Sequence, residues 1–354
     1  MRIGIDTQST YGSKTGIGHY SFQLLSALRQ VASTQDFVEF HLQKDLPMRT
    51  DQRLWWQQIA LPFAAKSSRV DLLHVTGFDA PYWKPCPIVL TVHDLIGKLY
   101  PGYFPIVSRF YWSWWLPQSI RNANRIIAVS EHTKNDLLKF SDIQDEIVTV
   151  VYPGIDPSFR PLERVTSVKY FKNKRHLPKR FILYVGTIEP RKGLDTLVTS
   201  FNKIASQTSY DMVICGKKGW YVEALEKQIY HLGLDQRIHF TGYIPDNELP
   251  LLYNLATLFV FPSRYEGFGL PPLEAMACGL PVICSNAASL PEVVGDASVL
   301  IQPDDPEMLA QTIMTLLEDK TLQNSLRSKG FRRASQFTWV KSARQILEIY
   351  EKVL

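Results

Sequence analysis

TLFVFPSRYEGFGLPPLEAMACGLPVICS, residues 257–285, runs from a short apolar segment through a glycine-rich loop and a helical stretch to a second apolar segment. The two apolar segments are rich in aromatic and β-branched residues, which favours strands. Pro271 and Pro272 suit the first turn of a helix, where a missing N–H costs nothing, and Gly279 suits its end. The stretch therefore predicts a βαβ unit with parallel strands.

The same alternation of strand and helix extends along the chain in two blocks. A stretch rich in Pro and Lys, at about 157–179, separates the blocks and reads as a linker. We predict an α/β protein with two doubly wound, Rossmann-like domains, 1–165 and 175–337, whose strand ends face each other across a cleft that holds the ligand. A final helical pattern at 338–354 could pack on either domain. The apolar runs that support this prediction are 2–6, 71–75, 87–94, 125–130, 146–156, 180–186, 211–216, 237–242, 257–263 and 281–285.

Composition indicates an ordinary globular protein. The chain has 354 residues, of which 45% are hydrophobic and 21% charged, and its formal net charge is +5. This mildly basic balance fits an anionic ligand or lipid surface without requiring either. The four cysteines, Cys86, Cys215, Cys278 and Cys284, form no Cys-x-x-Cys pair and read as thiols of a reducing compartment. With no signal peptide and no apolar run of ~20 residues, we expect a cytoplasmic protein, at most peripheral on the inner face of the plasma membrane.

The sequence lacks the motifs that are typical of several other classes of enzyme. Gly16 and Gly18 begin a dinucleotide fingerprint, but Ser21 stands where its third glycine belongs. The sequence contains no phosphate-binding Gly-x4-Gly-Lys-Ser/Thr loop and no Gly-x-Ser-x-Gly elbow. It also contains no Asp-x-Asp pair that would hold a metal ion on a diphosphate. We therefore expect a site without a metal.

Two glutamates flank the glycine-rich loop and the helix start. Glu266 precedes Gly267 and Gly269, which let the backbone approach a ligand closely, and the N–H groups of a helix start bind anions. Glu274 is expected in the first helical turn, so that both carboxylates point towards one ligand. Carboxylates bind vicinal hydroxyls, which sugars and ribose both offer. The alternative is an ordinary turn with two surface glutamates.

A second candidate site is YVGTIEPRKGLDTL, residues 184–197. Arg191 and Lys192 precede a predicted helix, where their charges oppose the helix dipole. A diphosphate held between these cations and the helix amides would explain the arrangement. Surface solvation of both side chains is the alternative.

Two features of the first block are weaker candidates. His93 and Asp94 follow a predicted strand at its carboxyl end, where ligands of such sheets bind, although a lone histidine is more often structural. Gly16 and Gly18 lie in a loop that could approach donor phosphate or acceptor. A plain loop before a helix is the alternative for this pair.

Together these segments resemble the glycosyltransferase family 4 enzymes of GT-B fold, over nearly the whole chain. The similar segments include the family's Glu-x7-Glu signature, with Glu266 and Glu274 as its pair. The amino-acid sequences of segments 184–193 and 261–280 are most similar to those of bacterial mannosyltransferases of polysaccharide and O-antigen assembly. The segments that carry the resemblance are GIG (16–18), VSEHTKNDLL (129–138), VYPGID (151–156), GTIEPRKG (186–193) and SRYEGFGLPPLEAMACGLPVI (263–283).

The resemblance implies a retaining, metal-independent transfer of a hexose, with mannose from GDP-mannose as the preferred donor, to a saccharide or lipid-linked acceptor. It implies no cofactor and no nucleic-acid partner. It places the acceptor on the N-terminal domain and the nucleotide sugar on the C-terminal domain, with 338–354 crossing back to the first. Alternatives are a glucosyl- or galactosyltransferase that uses a UDP-sugar, a phosphorylase or epimerase, and a non-catalytic module that binds sugar nucleotides.

Residue roles follow from the same resemblance. Glu266 would lie near the donor sugar hydroxyls, Glu274 would bind ribose, and Lys192 with Arg191 would stabilise the leaving diphosphate. His93 matches a histidine near the transferred sugar. Thr187 stands where many members have Arg, so that either Arg191 supplies the missing charge or the phosphate rests on Lys192 alone. The remaining donor-binding candidates are Gly16, Gly18, Tyr243, Ile244, Gly267, Phe268, Gly269 and Leu270.

An aromatic segment at 103–121 has helical spacing and neighbouring cations. Such a segment suits the interface of a membrane, which a lipid-linked acceptor would make useful. The alternative is that these rings pack in the core of the first domain or line the acceptor cleft. The residues concerned are Arg109, Tyr111, Trp112, Trp114, Trp115 and Arg121.

Overall fold

The computed structural model describes residues 1–11, 16–42, 50–77, 79–103, 111, 115–172, 174, 177–217, 219 and 221–354. The chain forms two compact units. The first comprises Met1–Gly154 and Phe337–Leu354, and the second comprises Ile155–Gln336. Each unit contains a six-stranded parallel sheet, as the alternation of strand and helix predicts.

The sheet of the first unit has the strand order β2-β1-β3-β4-β5-β6. Its central strands are fully buried, as expected of a parallel sheet that is covered on both faces. The strand order reverses between β1 and β3, which makes their carboxyl ends the switch point where ligands bind in such sheets. The strands are β1 (Arg2–Asp6), β2 (Asp36–Phe40), β3 (Leu72–Val75), β4 (Ile88–Val92), β5 (Arg125–Ala128) and β6 (Val148–Val150).

Helices cover this sheet. A π-helical turn, Trp56–Ala60, joins α2 to α3. Ser130 begins α6 by accepting a hydrogen bond from the Thr133 amide, which satisfies an otherwise unpaired N–H. The helices are α1 (Gly16–Val31), α2 (Thr50–Trp55), α3 (Leu61–Ser67), α4 (Ile96–Leu99), α5 (Leu116–Arg121) and α6 (Glu131–Ser141).

The sheet of the second unit has the strand order β12-β11-β10-β7-β8-β9. The order reverses between β7 and β10, so that the loops after these two strands flank the switch point. These are the loops that carry the two sequence motifs. The strands are β7 (Phe181–Val185), β8 (Asp211–Cys215), β9 (Ile238–Gly242), β10 (Leu258–Phe261), β11 (Val282–Ser285) and β12 (Ser298–Ile301).

The helices of the second unit begin before its first strand. The stretch read as a linker contains α7, whose Arg164 donates to the Leu255 carbonyl of the same unit. The two units divide earlier, between Gly154 and Ile155. The helices are α7 (Arg164–Lys172), α8 (Leu194–Ile204), α9 (Val222–His231), α10 (Leu249–Tyr253), α11 (Leu270–Ala277), α12 (Leu290–Val294), α13 (Pro306–Glu318) and α14 (Lys320–Ala334).

The C-terminal helix, α15 (Trp339–Glu351), belongs to the first unit. Its Trp339 ring packs edge-on against Tyr20 of α1, with centroids 5.4 Å apart. Its Tyr350 hydroxyl lies 2.6 Å from Nδ1 of His74, a fully buried residue of β3. Burial lowers the pKa of His74 to about 3, so the imidazole is neutral and completes this contact as a hydrogen-bond partner.

Candidate active site

Glu266 joins the two motif loops of the second unit. Its Oε1 lies 2.6 Å from Nζ of Lys192, and its Oε2 lies 2.9 Å from Nη1 of Arg191. Ser263 donates to the same Oε1 at 2.6 Å. Glu266 and Lys192 are buried, and Arg191 also pairs with Glu189 at 2.6 Å. The cluster thus contains two cations and two carboxylates at the carboxyl ends of β7 and β10.

This pairing revises the explanation offered for the two cations at a helix start. The sequence suggests that a bound diphosphate makes them tolerable. In the structure, Glu189 and Glu266 already neutralise Arg191 and Lys192 before any ligand is considered. The two cations therefore need no bound anion to balance their charge.

Close backbone approach holds the two loops together. Gly193 has φ +65°, and a Cβ on it would stand 2.1 Å from the Pro262 carbonyl oxygen, so only glycine fits here. The Arg264 amide donates to the Arg191 carbonyl at 2.7 Å. The Arg264 guanidinium donates to the Pro190 carbonyl and to Asp195 and Asp304.

The charges in the cluster are strongly coupled. Burial alone would raise the pKa of Glu266, but the neighbouring Lys192 and Arg191 charges, with hydrogen bonds from Lys192 and Ser263, lower it to about 2. Burial and the Arg191 charge lower the pKa of Lys192 below its ordinary value. Glu266 is thus a firmly ionised carboxylate of low basicity.

Glu274 lies one turn further along α11 than the sequence suggests. The helix begins at Leu270, which places Glu274 in the second turn, and the first turn contains no acidic residue. The Tyr253 hydroxyl donates to its Oε2 at 2.9 Å. Glu274 is partly exposed, and the buried Tyr253 fixes its direction.

The start of α11 offers fewer amides than a generic helix. Its Pro271 and Pro272 have no N–H, so the first turn contributes the amides of Leu270 and Leu273. Gly269 precedes the helix with φ +115°. Ser289 fixes this loop by donating to the carbonyls of Glu266 at 2.9 Å and Phe268 at 2.7 Å. Gly267 and Phe268 are buried in the same loop.

Other candidates of the second unit lie on neighbouring strand ends. Thr187 follows β7 and is exposed. Tyr243 and Ile244 follow β9, where Tyr243 is 42% exposed and Ile244 is buried. The Lys217 ammonium lies 5.1 Å from the Tyr243 ring centroid. Tyr243 thus offers a solvent-facing aromatic surface, whereas Ile244 can contribute only its backbone.

The first-unit candidates meet around Gly77, which follows β3. A Cβ on Gly77 would stand 2.7 Å from the Ile17 side chain and 3.7 Å from the His93 ring. The prediction that Gly16 and Gly18 lie in a loop is wrong, because both residues belong to the first turn of α1. The glycine pair and His93 therefore come together at the carboxyl end of the first sheet.

His93 is held in one tautomer. Its Nε2 lies 2.8 Å from the Thr76 carbonyl oxygen, and since a carbonyl only accepts, Nε2 must carry the proton. Burial lowers the pKa of His93, although the hydrogen bond to Thr76 and the Asp94 charge oppose that shift. The neutral ring then has its lone pair at Nδ1.

The aromatic segment is only partly within the described residues. Tyr111 is buried, and its hydroxyl donates to Oδ1 of the buried Asp79 at 2.8 Å. Trp115 donates from Nε1 to Oδ2 of the same carboxylate at 3.2 Å. These two rings pack within the first unit, which is the alternative to membrane contact given above. Arg109, Trp112 and Trp114 lie outside the described residues.

Within the described part of the chain, no helix is both long and apolar enough to cross a membrane. Those same residues contain no group of three or more His, Cys, Asp or Glu side chains that could hold a metal ion. The four cysteines are all free thiols.

Comparison with known proteins identifies the class that this fold and site define. The model of the family described as glycosyl transferases group 1 matches residues 167–333, and that of glycosyltransferase family 4 matches residues 21–159. The chain belongs to glycosyltransferase family 4 and is a hexosyltransferase.

Two of its relatives are named as O-antigen mannosyltransferases. The chain is 33% identical to O-antigen chain mannosyltransferase B of Escherichia coli, over 99% of this chain and 100% of that protein. It is 25% identical to O-antigen chain mannosyltransferase RfbU of Salmonella typhimurium, over 86% and 88% of the two chains. These relatives support a glycosyltransferase of polysaccharide synthesis.

A solved structure shows the same fold. Sucrose-phosphate synthase from Thermosynechococcus elongatus superposes with a TM-score of 0.82, covering 99% of this chain and 98% of that one, at 22% identity. The two parallel six-stranded sheets are those of the GT-B fold.

Proposed function

We propose that the enzyme transfers mannose from GDP-mannose to a saccharide or lipid-linked acceptor during assembly of an O-antigen-like polysaccharide, with retention of anomeric configuration. The observation that carries the proposal is the cluster of Lys192, Arg191 and Glu266 at the switch point of the second sheet. The similarity to O-antigen mannosyltransferases supports mannose as the sugar.

In this proposal the cluster stabilises the leaving group. As the glycosidic bond breaks, negative charge develops on the diphosphate, and the Lys192 ammonium and Arg191 guanidinium donate to it together with the amides of Gly269 and Leu270. One preorganised donor of this kind contributes about 3–4 kcal/mol to the transition state. This scheme needs no metal ion and no cofactor, since the side-chain cations stabilise the negative charge on the diphosphate.

Glu266 is a poor candidate for a nucleophile. Both of its carboxylate oxygens are held by cations, and its pKa is lowered to about 2, so that it is weakly basic. A double displacement through Glu266 would require the carboxylate to leave both cations. We therefore propose attack by the acceptor hydroxyl on the face that the diphosphate leaves, with the departing phosphate accepting the hydroxyl proton.

Other candidates have supporting roles. Glu266 orients Lys192 and Arg191 and faces the donor sugar, and Glu274, held by Tyr253, binds the ribose hydroxyls. Thr187 lies on the phosphate loop, and Tyr243 stacks against the base while the Ile244 backbone reads its edge. For the first unit we keep the roles that the resemblance implies: His93 near the transferred sugar, and the turn at Gly16–Gly18 near donor phosphate or acceptor.

Nucleotide release tests donor, metal and catalysis together. Purified enzyme is incubated with GDP-mannose, UDP-glucose or UDP-galactose and an acceptor oligosaccharide, with and without EDTA. We expect GDP release and a mannosylated product whose anomeric proton shows retention, unchanged by EDTA. Release of UDP instead of GDP would support the alternative donor, an inverted product would refute the mechanism, and binding of GDP without turnover would indicate a non-catalytic module.

A further inference from the structure

An apolar stripe lies on the outside of the helical segment 50–67 in the first unit. The residues that flank its π-helical turn have right-handed helical backbone angles, so α2, the turn and α3 form one continuous helix. Trp55, Ile59 and Phe63 recur every four residues and hence lie on one face. Their exposed fractions are 50%, 48% and 58%.

The opposite face of this helix already fills the core. Trp56, Leu61 and Ala65 are buried in the hydrophobic cluster of the first unit. A surface helix ordinarily turns polar residues outward, and this one turns large apolar residues to both sides. The fold of the first unit therefore does not account for the outward face.

The stripe continues onto a neighbouring loop. The Trp83 ring lies 4.9 Å from that of Phe63, centroid to centroid, and both Tyr82 and Trp83 are exposed. The Tyr82 amide donates to the Gln58 side chain at 3.0 Å, which fixes the loop against the helix. We call Trp55, Ile59, Phe63, Tyr82 and Trp83 the aromatic stripe.

Cations outnumber carboxylates around the stripe. The exposed Asp51 lies four residues before Trp55 at one end of the stripe, whereas the segments 52–70 and 80–93 contain no Asp or Glu and include exposed Lys66, Arg69 and Lys84. The Lys66 ammonium lies 5.3 Å from the Trp83 ring centroid. Aromatic rings beside an excess of cations complement a surface that is apolar below and anionic above.

We propose that the aromatic stripe, together with Lys66, Arg69 and Lys84, docks the first unit on an anionic phospholipid bilayer. The rings of Trp55, Phe63 and Trp83 lie at the level of the headgroups, and the three cations contact lipid phosphates. This surface adjoins segment 103–121, since the Tyr82 ring lies 5.0 Å from the Trp115 ring, but it consists of other residues, whereas Tyr111 and Trp115 are tied to Asp79. It goes beyond the proposed function because it depends on neither donor nor sugar.

Vesicle flotation tests the proposal with the whole chain. The wild type is mixed with vesicles of phosphatidylglycerol and phosphatidylethanolamine, or of phosphatidylcholine alone. We expect the wild type to float with the anionic vesicles and to dissociate as salt is raised, because charge attraction is screened. The combined variant Trp55→Ser, Phe63→Ser and Trp83→Ser should lose about tenfold or more in partitioning, and Lys66→Glu with Lys84→Glu should lose a similar amount.

A matched control carries the same kind of change elsewhere. Val165→Ser, Val168→Ser and Tyr230→Ser remove three exposed apolar side chains from the second unit and should float as the wild type does. Circular dichroism and nucleotide-induced thermal shift check that each variant is folded. Equal flotation of wild type and stripe variant would overturn the proposal. So would a dimeric wild type that becomes monomeric in the stripe variant, since the stripe would then face a second copy of the chain.

Discussion

The Lys192 ammonium and the Glu266 carboxylate lie 2.6 Å apart, although 74 residues separate them in the chain. Both are buried, and each belongs to a different loop at the switch point of the second sheet. This ion pair links the loop after β7 to the loop after β10, so that the position of each loop depends on the other.

In the proposed mechanism, replacing Lys192 with Ala should lower kcat by about a hundredfold to a thousandfold, because it removes a preorganised donor to the leaving diphosphate. Lys203→Ala is the control, since that lysine forms only an exposed pair with Glu307. Initial rates of GDP release give the comparison. A Lys192→Ala enzyme with near-normal turnover would refute the role of this lysine.

Replacing Glu266 with Gln should destabilise the second unit, because the buried Lys192 and the partly buried Arg191 lose their shared counter-charge; removing one partner of a buried pair costs about 3–5 kcal/mol. Unfolding by denaturant at neutral pH measures the loss in the free energy of unfolding. Glu307→Gln is the control, since that carboxylate is exposed.

The pH dependence of this difference has a definite sign. The folded pKa of Glu266, about 2, lies below its ordinary value of 4.5, so ionisation favours the folded state. The advantage of wild type over Glu266→Gln should be fully present above pH 4.5 and should disappear as the pH falls towards 2. A difference that stays constant across this range would contradict the assignment.

Asp6 should show the opposite dependence. Burial raises its pKa to about 6, although hydrogen bonds from the Gln8 amide and Trp56 lower it in part, and the Asp79 charge adds to the increase. The folded state therefore favours the protonated form, and wild-type stability should fall as pH rises from 3.8 towards 6.

The isosteric variant Asp6→Asn isolates this effect. Both hydrogen bonds end on Oδ1, which Asn retains, so the variant should be more stable than wild type by about 2–3 kcal/mol at pH 7 and similar to it near pH 3. Asp142→Asn, at a carboxylate that is 89% exposed, should change little. Unfolding by urea at several pH values decides between these outcomes.

Gly193→Ala should impair catalysis through sterics. Its Cβ would collide with the Pro262 carbonyl and separate the two motif loops. Gly233 has nearly the same backbone angle, φ +66°, but open space around it, so Gly233→Ala carries the same backbone strain without the collision. We expect a large loss of kcat/KM for the first variant and a small one for the second. Equal losses would mean that backbone strain alone is responsible.

Sequence patterns predicted the two parallel sheets and the positions of the motif loops well, because hydrophobic alternation and glycine or proline punctuation are local signals. The start of α11 after Gly269 followed from Pro271 and Pro272. The contacts that organise the site could not be read in this way. The pairing of Glu266 with Lys192 joins loops that are adjacent only because the strand order places β10 beside β7.

Positioning residues were missed for the same reason. Ser289 and Arg264 hold the Glu266 loop, and Tyr253 holds Glu274, yet serine, arginine and tyrosine are too common to signal a role without spatial context. Gly16 and Gly18 were expected in a loop that approaches a ligand just before a helix, but the structure has α1 beginning at Gly16.

The chain path has a consequence for how the enzyme is made and can be rebuilt. The first unit is interrupted after Gly154 and resumes at Phe337, and these two points lie side by side, since a Cβ on Gly154 would stand 2.1 Å from the Trp339 amide nitrogen. The second unit is thus an insertion into the first. Synthesis from the amino end must produce the second unit before α15 can complete the first, and joining the chain between Gly154 and Phe337 offers a route to exchanging one unit between related enzymes.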